Sequence, residues 1–184
     1  MRSEIVVPLA IRDLTDADLP ECGWSGSRLH LEHVARALVR VRGGEAEYLV
    51  ACAARSGQPV GKGLIDYRAN PGAGTIGQLA VHPVLQSCGI GTALALAAEE
   101  RIRARGLSHA ELGVEVDNPR ARELYERLGY TAYGTAPDGW DEEAPDGSVR
   151  RYETTCVLMR KPLTRTPATP ARPRTAPPAR PPSG

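Results

Sequence analysis

The stretch Gln86-Ser87-Cys88-Gly89-Ile90-Gly91-Thr92 puts two glycines one residue apart at the mouth of an alanine-rich run, just after a strand-like segment ending at Pro83. Glycine weakens a helix by roughly 0.5–1 kcal/mol relative to alanine, so its use here calls for a compensating role. A helix start exposes unpaired N–H groups and a partial positive charge, which suits an anion such as phosphate. Gly89 and Gly91 would let a ligand reach those amides with no side chain in the way. Two familiar phosphate loops do not fit. A P-loop ends in Gly-Lys-Ser/Thr, whereas Gly91 is followed by Thr92-Ala93. A dinucleotide fingerprint needs a third glycine, and Leu94 stands at its place. Further on, Ala121, Leu124, Tyr125 and Leu128 form one apolar stripe, and on pattern alone Tyr125 reads as a core tyrosine.

The elements that must hold these residues alternate along the chain. Residues 5–13 read as a strand and 14–21 as a short helix with Thr15 as N-cap. Over 27–42, Leu31, Val34, Leu38 and Val41 fall at helical spacing, and Gly43-Gly44 ends the run. Segments 47–54 and 59–68 read as two strands joined by the turn RSGQ, and 75–83 as a third. The glycine segment opens a helix to about Arg105, with Gly106 after it. A strand over 110–116 precedes a helix over 118–129, punctuated by Asn118 as N-cap, Pro119 and Gly129. YTAYGT and SVRRYETTCVLMRK read as two closing strands around an acidic loop. The expected fold is α+β: a mixed, mostly antiparallel sheet of about 6–7 strands with helices on both faces.

Composition sets the outer limits. The chain has 184 residues, 41% hydrophobic and 24% charged, with no phenylalanine, so its core must rest on Leu, Val, Ile and Ala. No apolar run approaches the ~20 residues that span a bilayer. No membrane association and a cytoplasmic location are the expectations, the N-terminus lacking signal-peptide character. Cys22, Cys52, Cys88 and Cys156 form no CxxC pair, so reduced thiols and no metal are expected. His30 and His33 sit three apart on one helix face without a third ligand, and read as ordinary surface or packing residues. The segment 164–184 has seven prolines in 21 residues, four arginines and no acid, and is expected to be a disordered tail beyond a 1–163 domain. Removing its +4 from the chain's +1 leaves the domain at −3, which argues against nucleic acid as partner.

Gln-x-x-Gly-x-Gly after LAVHP, followed one strand later by NPRARELYERLGY, resembles the GNAT acetyltransferase superfamily, as does the opening IRDLTDADLPE. The resemblance covers about residues 5–161 and implies acetyl-coenzyme A, or another acyl-coenzyme A, as donor. It implies that amides from Cys88 to Thr92, flanked by Gln86 and Ser87, hold the pyrophosphate. The pantetheine arm would pair with the main chain at Leu79, Ala80 and Val81, in a gap where this strand splays from the next near Gly113–Val116. It places a donor to the departing thiolate on Tyr125, with Asn118 assisting at the start of the same helix. The family often carries a basic residue and a glycine where this chain has Cys88 and Ser87, so somewhat weaker coenzyme binding is expected. A glutamate that some members use as base is replaced here by Thr75. Glu115, Asp117, His82, the loop acids and a water chain stay open as alternatives.

The run APDGWDEEAPDG gathers Asp138, Asp141, Glu142, Glu143 and Asp146 around Trp140, with no cation among them. It reads either as a solvated turn or as a cation-attracting lip, with Trp140 offering a face to an ammonium group. Trp140, Asp141, Glu142 and Glu115 are accordingly the candidates for binding a small-molecule or peptide amine. GWSGS (23–27) suggests a mobile loop over that pocket. A homodimer is compatible with the resemblance. The competing functions are a non-catalytic acyl-coenzyme A-binding regulatory module of the same fold, and a scaffold presenting the proline-rich tail.

Overall fold

The computed structural model of the protein describes residues 6–144 and 146–163. The expected tail lies outside the described residues. Seven strands form one sheet: β1 (Leu9–Asp13), β2 (Ala46–Ala53), β3 (Pro59–Asp66), β4 (Ala73–Val81), β5 (His109–Glu115), β6 (Thr131–Glu143) and β7 (Val149–Pro162). Their spatial order is β1-β2-β3-β4-β5-β7-β6. Only β4 and β5 run parallel, because the helix between them must cross back over the sheet. The helices are α1 (Arg28–Arg42), α2 (Ile90–Ala104) and α3 (Pro119–Arg127), with 3-10 turns over Asp16–Ser25 and Pro83–Leu85.

Strand alternation sorts the core into two layers. Tyr48, Val50 and Cys52 of β2 pack with Val34, Ala37 and Leu38 of α1. Leu49 and Ala51 point the other way, into a cluster with Leu94, Ala98 and Ile102 of α2. The α1 stripe is thus the one its spacing predicts, and Ser27 caps the helix by accepting from the His30 N–H at 3.3 Å. On the opposite face α2 lies close enough that a Cβ on Gly74 would sit 2.5 Å from Ile102 Cγ1. Gly74→Ala should therefore destabilise the protein by about 1–3 kcal/mol through overpacking, measurable as a lower thermal midpoint by circular dichroism.

Two local expectations change. The short helix after β1 is a 3-10 helix that extends to Ser25, and so absorbs most of the supposed GWSGS loop. Asp18 anchors its start, accepting from the Thr15 N–H and hydroxyl, each at 2.8 Å, and from both Arg12 guanidinium nitrogens. The Arg12 contact holds the Asp18 carboxyl down to about 2. More consequentially, most of the acidic run is not a loop: residues through Glu143 belong to β6, paired with β7 from Glu143↔Val149 to Thr131↔Arg160 with one bulge between Ala132 and Gly134. Gly139 is required within that ladder, since a Cβ would lie 2.6 Å from the Tyr152 carbonyl oxygen. All four cysteines are free, with Cys22, Cys52 and Cys156 buried and Cys88 exposed. No helix among the described residues is long and apolar enough to cross a membrane.

Candidate active site

The parallel pairing of β4 with β5 covers only Ala73–Ile76 against His109–Leu112. Beyond that point β4 continues to Val81 with β3 as its partner, while β5 continues to Glu115 with β7. The two strands splay, leaving a V-shaped gap where the family resemblance implies one. A bulge opposite Lys62–Leu64 helps turn β4 away, and Gln78 within it takes a φ of 49°. Leu79, Ala80 and Val81 lie on the open arm, each only partly buried.

At the outer end of this gap the chain turns into α2. Ser87 and Gly89 take φ values of 65° and 83°, and Gly89 is the N-cap. Helix α2 has no side-chain cap, and its first intrahelical donor is the Ala93 N–H, bonded to the Gly89 carbonyl at 3.0 Å. Among the described residues no backbone acceptor engages the amides of Cys88, Gly89, Ile90, Gly91 or Thr92. They are available to an anion. Gly91 packs between Leu79, Val81 and Leu124, so it joins the cradle to both the open strand and α3.

Asn118 caps α3 by accepting from the Ala121 N–H at 3.1 Å. The sequence left a cation missing at Cys88; the fold brings one from α3. Arg120 donates to the Ser87 hydroxyl at 2.6 Å and to Gln86 Oε1 at 3.2 Å, at the rim of the cradle. No spacing rule links residues 33 positions apart, so only packing could reveal this neighbour.

Tyr125 sits both in the core and at the cavity wall. It is 7% exposed, belongs to the core and meets Tyr130 edge-on at 5.6 Å. It also lines a cavity of about 1100 Å³ that continues from the gap. Burial pushes its hydroxyl up to about 12, so it remains a proton-bearing donor at any working pH.

The same cavity reaches Asn118, Glu115, Trp140, Asp141 and Glu142. Glu115 and Trp140 are bridged by a residue the sequence reading missed. Tyr152 of β7 donates to Glu115 at 2.8 Å and its ring lies 4.8 Å from the Trp140 ring. The acidic segment is less bare than its sequence suggests, because β7 sets Arg151 against Asp141 at 3.4 Å. Glu142 accepts from the Trp140 indole at 3.2 Å, and Glu143 from the Leu29 N–H of α1 at 3.2 Å. Asp117 and His82 lie outside the cavity lining, while Glu115 and Thr75 are part of it. His30 corrects another expectation: it lines the cavity, 3.0 Å from the buried Lys62, instead of serving as packing alone. Among the described residues, no three His, Cys, Asp or Glu side chains gather as a metal site would require.

Comparison with known proteins gives this geometry its context. The model of the "Acetyltransferase (GNAT) family" matches residues 10–130. A mycothiol acetyltransferase of Streptomyces avermitilis is 36% identical over 83 residues, which are 45% of this chain and 27% of that protein. The chain spans about a fifth to a quarter of the length of the curated relatives it matches. The crystal structure of the ribosomal-protein-S18-alanine N-acetyltransferase from Escherichia coli superposes with a TM-score of 0.65 at 20% identity, covering 88% of this chain and 97% of that one. A phosphinothricin acetyltransferase from Sinorhizobium meliloti, solved in complex with AcCoA, gives 0.65 at 19% identity, covering 92% and 96%. At these identities the two structures establish the shared fold.

Proposed function

The chain belongs to the acetyltransferase (GNAT) family, and from that premise we propose that it transfers an acetyl group from acetyl-coenzyme A to a primary amine, by direct attack in a ternary complex. The observation that carries this reading is the continuity between the free amides of Cys88–Thr92 and the β5-facing edge of β4, which is unpaired beyond Ile76. One feature binds a diphosphate and the other accepts an extended chain as an added strand. Acetyl-coenzyme A supplies the activated acyl group as a thioester. Around it the cradle amides and Arg120 hold phosphate, and Leu79–Val81 align the arm by main-chain pairing. A backbone N–H near Leu79 polarises the thioester carbonyl. Tyr125 donates a hydrogen bond to the sulfur as charge develops there, with Asn118 fixing the start of its helix. Glu115, Trp140, Asp141 and Glu142 border the acceptor end, and their net negative charge favours an ammonium group on a small molecule or peptide.

The test is thiol release from acetyl-coenzyme A against glucosamine, spermidine and an alanine-terminated peptide, alongside calorimetric titration with coenzyme A. Turnover with any of the three supports the proposal, and absence of coenzyme binding removes it. Binding without turnover on a broad amine panel favours the regulatory reading instead. Gly89→Val should weaken coenzyme A binding at least about tenfold, because a β-branched residue at φ 83° is strained by roughly 1–2 kcal/mol and the turn that aims the amides must shift.

A further inference from the structure

Lys62 has no exposed surface, and among the described residues no carboxylate pairs with it. Its Nζ lies 3.0 Å from His30 Nε2 on α1 and 3.0 Å from the Tyr48 hydroxyl on β2. Tyr48 in turn donates to Gln78 Oε1 at 2.9 Å, inside the β4 bulge where the gap opens. Side chains from α1, β2, β3 and β4 thus join in one run of polar contacts that passes through a buried amine beside the acceptor cavity. The residue type is also informative. Of 23 lysines and arginines in the chain, only Lys62 and Lys161 are lysine. Arginine cannot release its proton in a protein, whereas a buried lysine can.

His30, half-buried, lines the same cavity as Lys62 and is the more exposed of the pair. Building on the acetyl-transfer reading, we propose that His30 accepts the proton that an acceptor ammonium must lose before it attacks, and that Lys62 stores that proton behind it. In the competent state Lys62 is a free amine whose lone pair accepts from His30 Nε2–H, leaving His30 Nδ1 as a base. The ammonium gives one proton to Nδ1 while the Nε2 proton moves to Lys62 Nζ. The acceptor becomes a neutral amine, the imidazole stays neutral in its other tautomer, and Lys62 becomes an ammonium. The amine nitrogen then bonds to the carbonyl carbon, the carbon–sulfur bond breaks, and the second nitrogen proton is balanced by protonation of the thiolate. Lys62 returns its proton to solvent through His30 after the products leave.

The electrostatics agree with this division of labour. Burial brings Lys62 down to about 8, and burial together with the Lys62 charge holds His30 down to about 4. The proton therefore rests on Lys62 and not on the imidazole. The groups facing the pair are Cys22 from the 3-10 segment, His33 on α1, Tyr48 on β2 and Gln78 on β4. None of them is a carboxylate that would restore the lysine to its ordinary range.

The full-length protein labelled with [ε-13C]lysine should give two lysine signals, with Lys62 assigned as the one missing from Lys62→Met. If that variant does not fold, Lys161→Arg leaves the Lys62 signal alone. A Lys62 midpoint near pH 8 is expected, and one at about 10 or above, where free lysine titrates, overturns the proposal. In thiol-release assays with whichever of glucosamine, spermidine or the alanine peptide turns over, kcat should rise through pH 8. His30→Gln should lower kcat about a hundredfold and abolish that rise, with coenzyme A affinity unchanged. Wild-type turnover with an unaltered pH profile in His30→Gln overturns this role alone. Wild-type protein that binds coenzyme A yet turns over no amine brings down the acetyl-transfer reading, and this role with it.

Discussion

Tyr125→Phe is expected to lower kcat for acetyl transfer about a hundredfold while changing coenzyme A affinity by no more than about threefold. The argument is electrostatic. The Tyr125 hydroxyl has no partner among the described residues and faces the cavity, where a leaving thiolate would develop charge. With that hydroxyl near 12 and a thiol near 8.5, outright proton transfer to sulfur would be uphill by about 5 kcal/mol. On the proposed reaction, Tyr125 would therefore act by donating a hydrogen bond, with solvent delivering the proton. Losing a hydrogen bond to a charged group costs roughly 1.5–3 kcal/mol, which accounts for about two decades in rate. Phenylalanine keeps the edge-on contact with Tyr130, so the melting temperature should hold within about 2 °C. Equal thiol-release rates for the two proteins would reduce Tyr125 to a core residue.

The largest stability effect is expected at the chain's other lysine. Lys161 donates to both oxygens of Glu99, at 2.7 and 2.8 Å, and Glu99 is fully buried on the sheet-facing side of α2. Arg103 supplies a further contact at 3.1 Å. Lys161→Met removes the principal partner of a buried carboxylate and should destabilise the fold by about 3 kcal/mol. For a domain of this size that lowers the thermal midpoint by roughly 10 °C, readable by calorimetry. The same exchange at Lys62 should do the opposite. There the ammonium has no carboxylate, and the gap between about 8 and the ordinary 10.5 corresponds to about 3 kcal/mol carried by the fold. Above pH 8 the unfolded chain holds more protons at this site than the folded one. Its contribution to stability therefore rises with pH between about 8 and 10.5, and is least favourable below 8. Lys62→Met should match or exceed the wild-type midpoint at pH 7, and the two curves should converge by pH 10. A protein that keeps a destabilising lysine at the edge of its cavity is better explained by chemistry than by packing.

Much of this molecule could be read from short-range pattern. The α1 stripe, the Asn118 cap and the β2–β3 hairpin follow from periodicities and backbone preferences within a few residues. The splayed strands were expected only through resemblance, since nothing in TIGQLAVHP by itself says where a ladder stops. The acidic run misled because Pro137, Gly139 and its carboxylates are poor strand formers. Pairing with β7 overrides that preference and sets Arg151 beside Asp141.

The sequence by itself determined the turn with free amides at the start of α2, because main-chain amides are presented by a local turn that glycine permits and by the helix that follows it. Tertiary structure alone decided the chemistry around it. Arg120 beside Ser87, Tyr152 between Glu115 and Trp140, and Lys62 against His30 and Tyr48 are neighbours across separate elements. Their charges and proton affinities are set by burial and by partners, and neither is encoded in the spacing of residues along the chain.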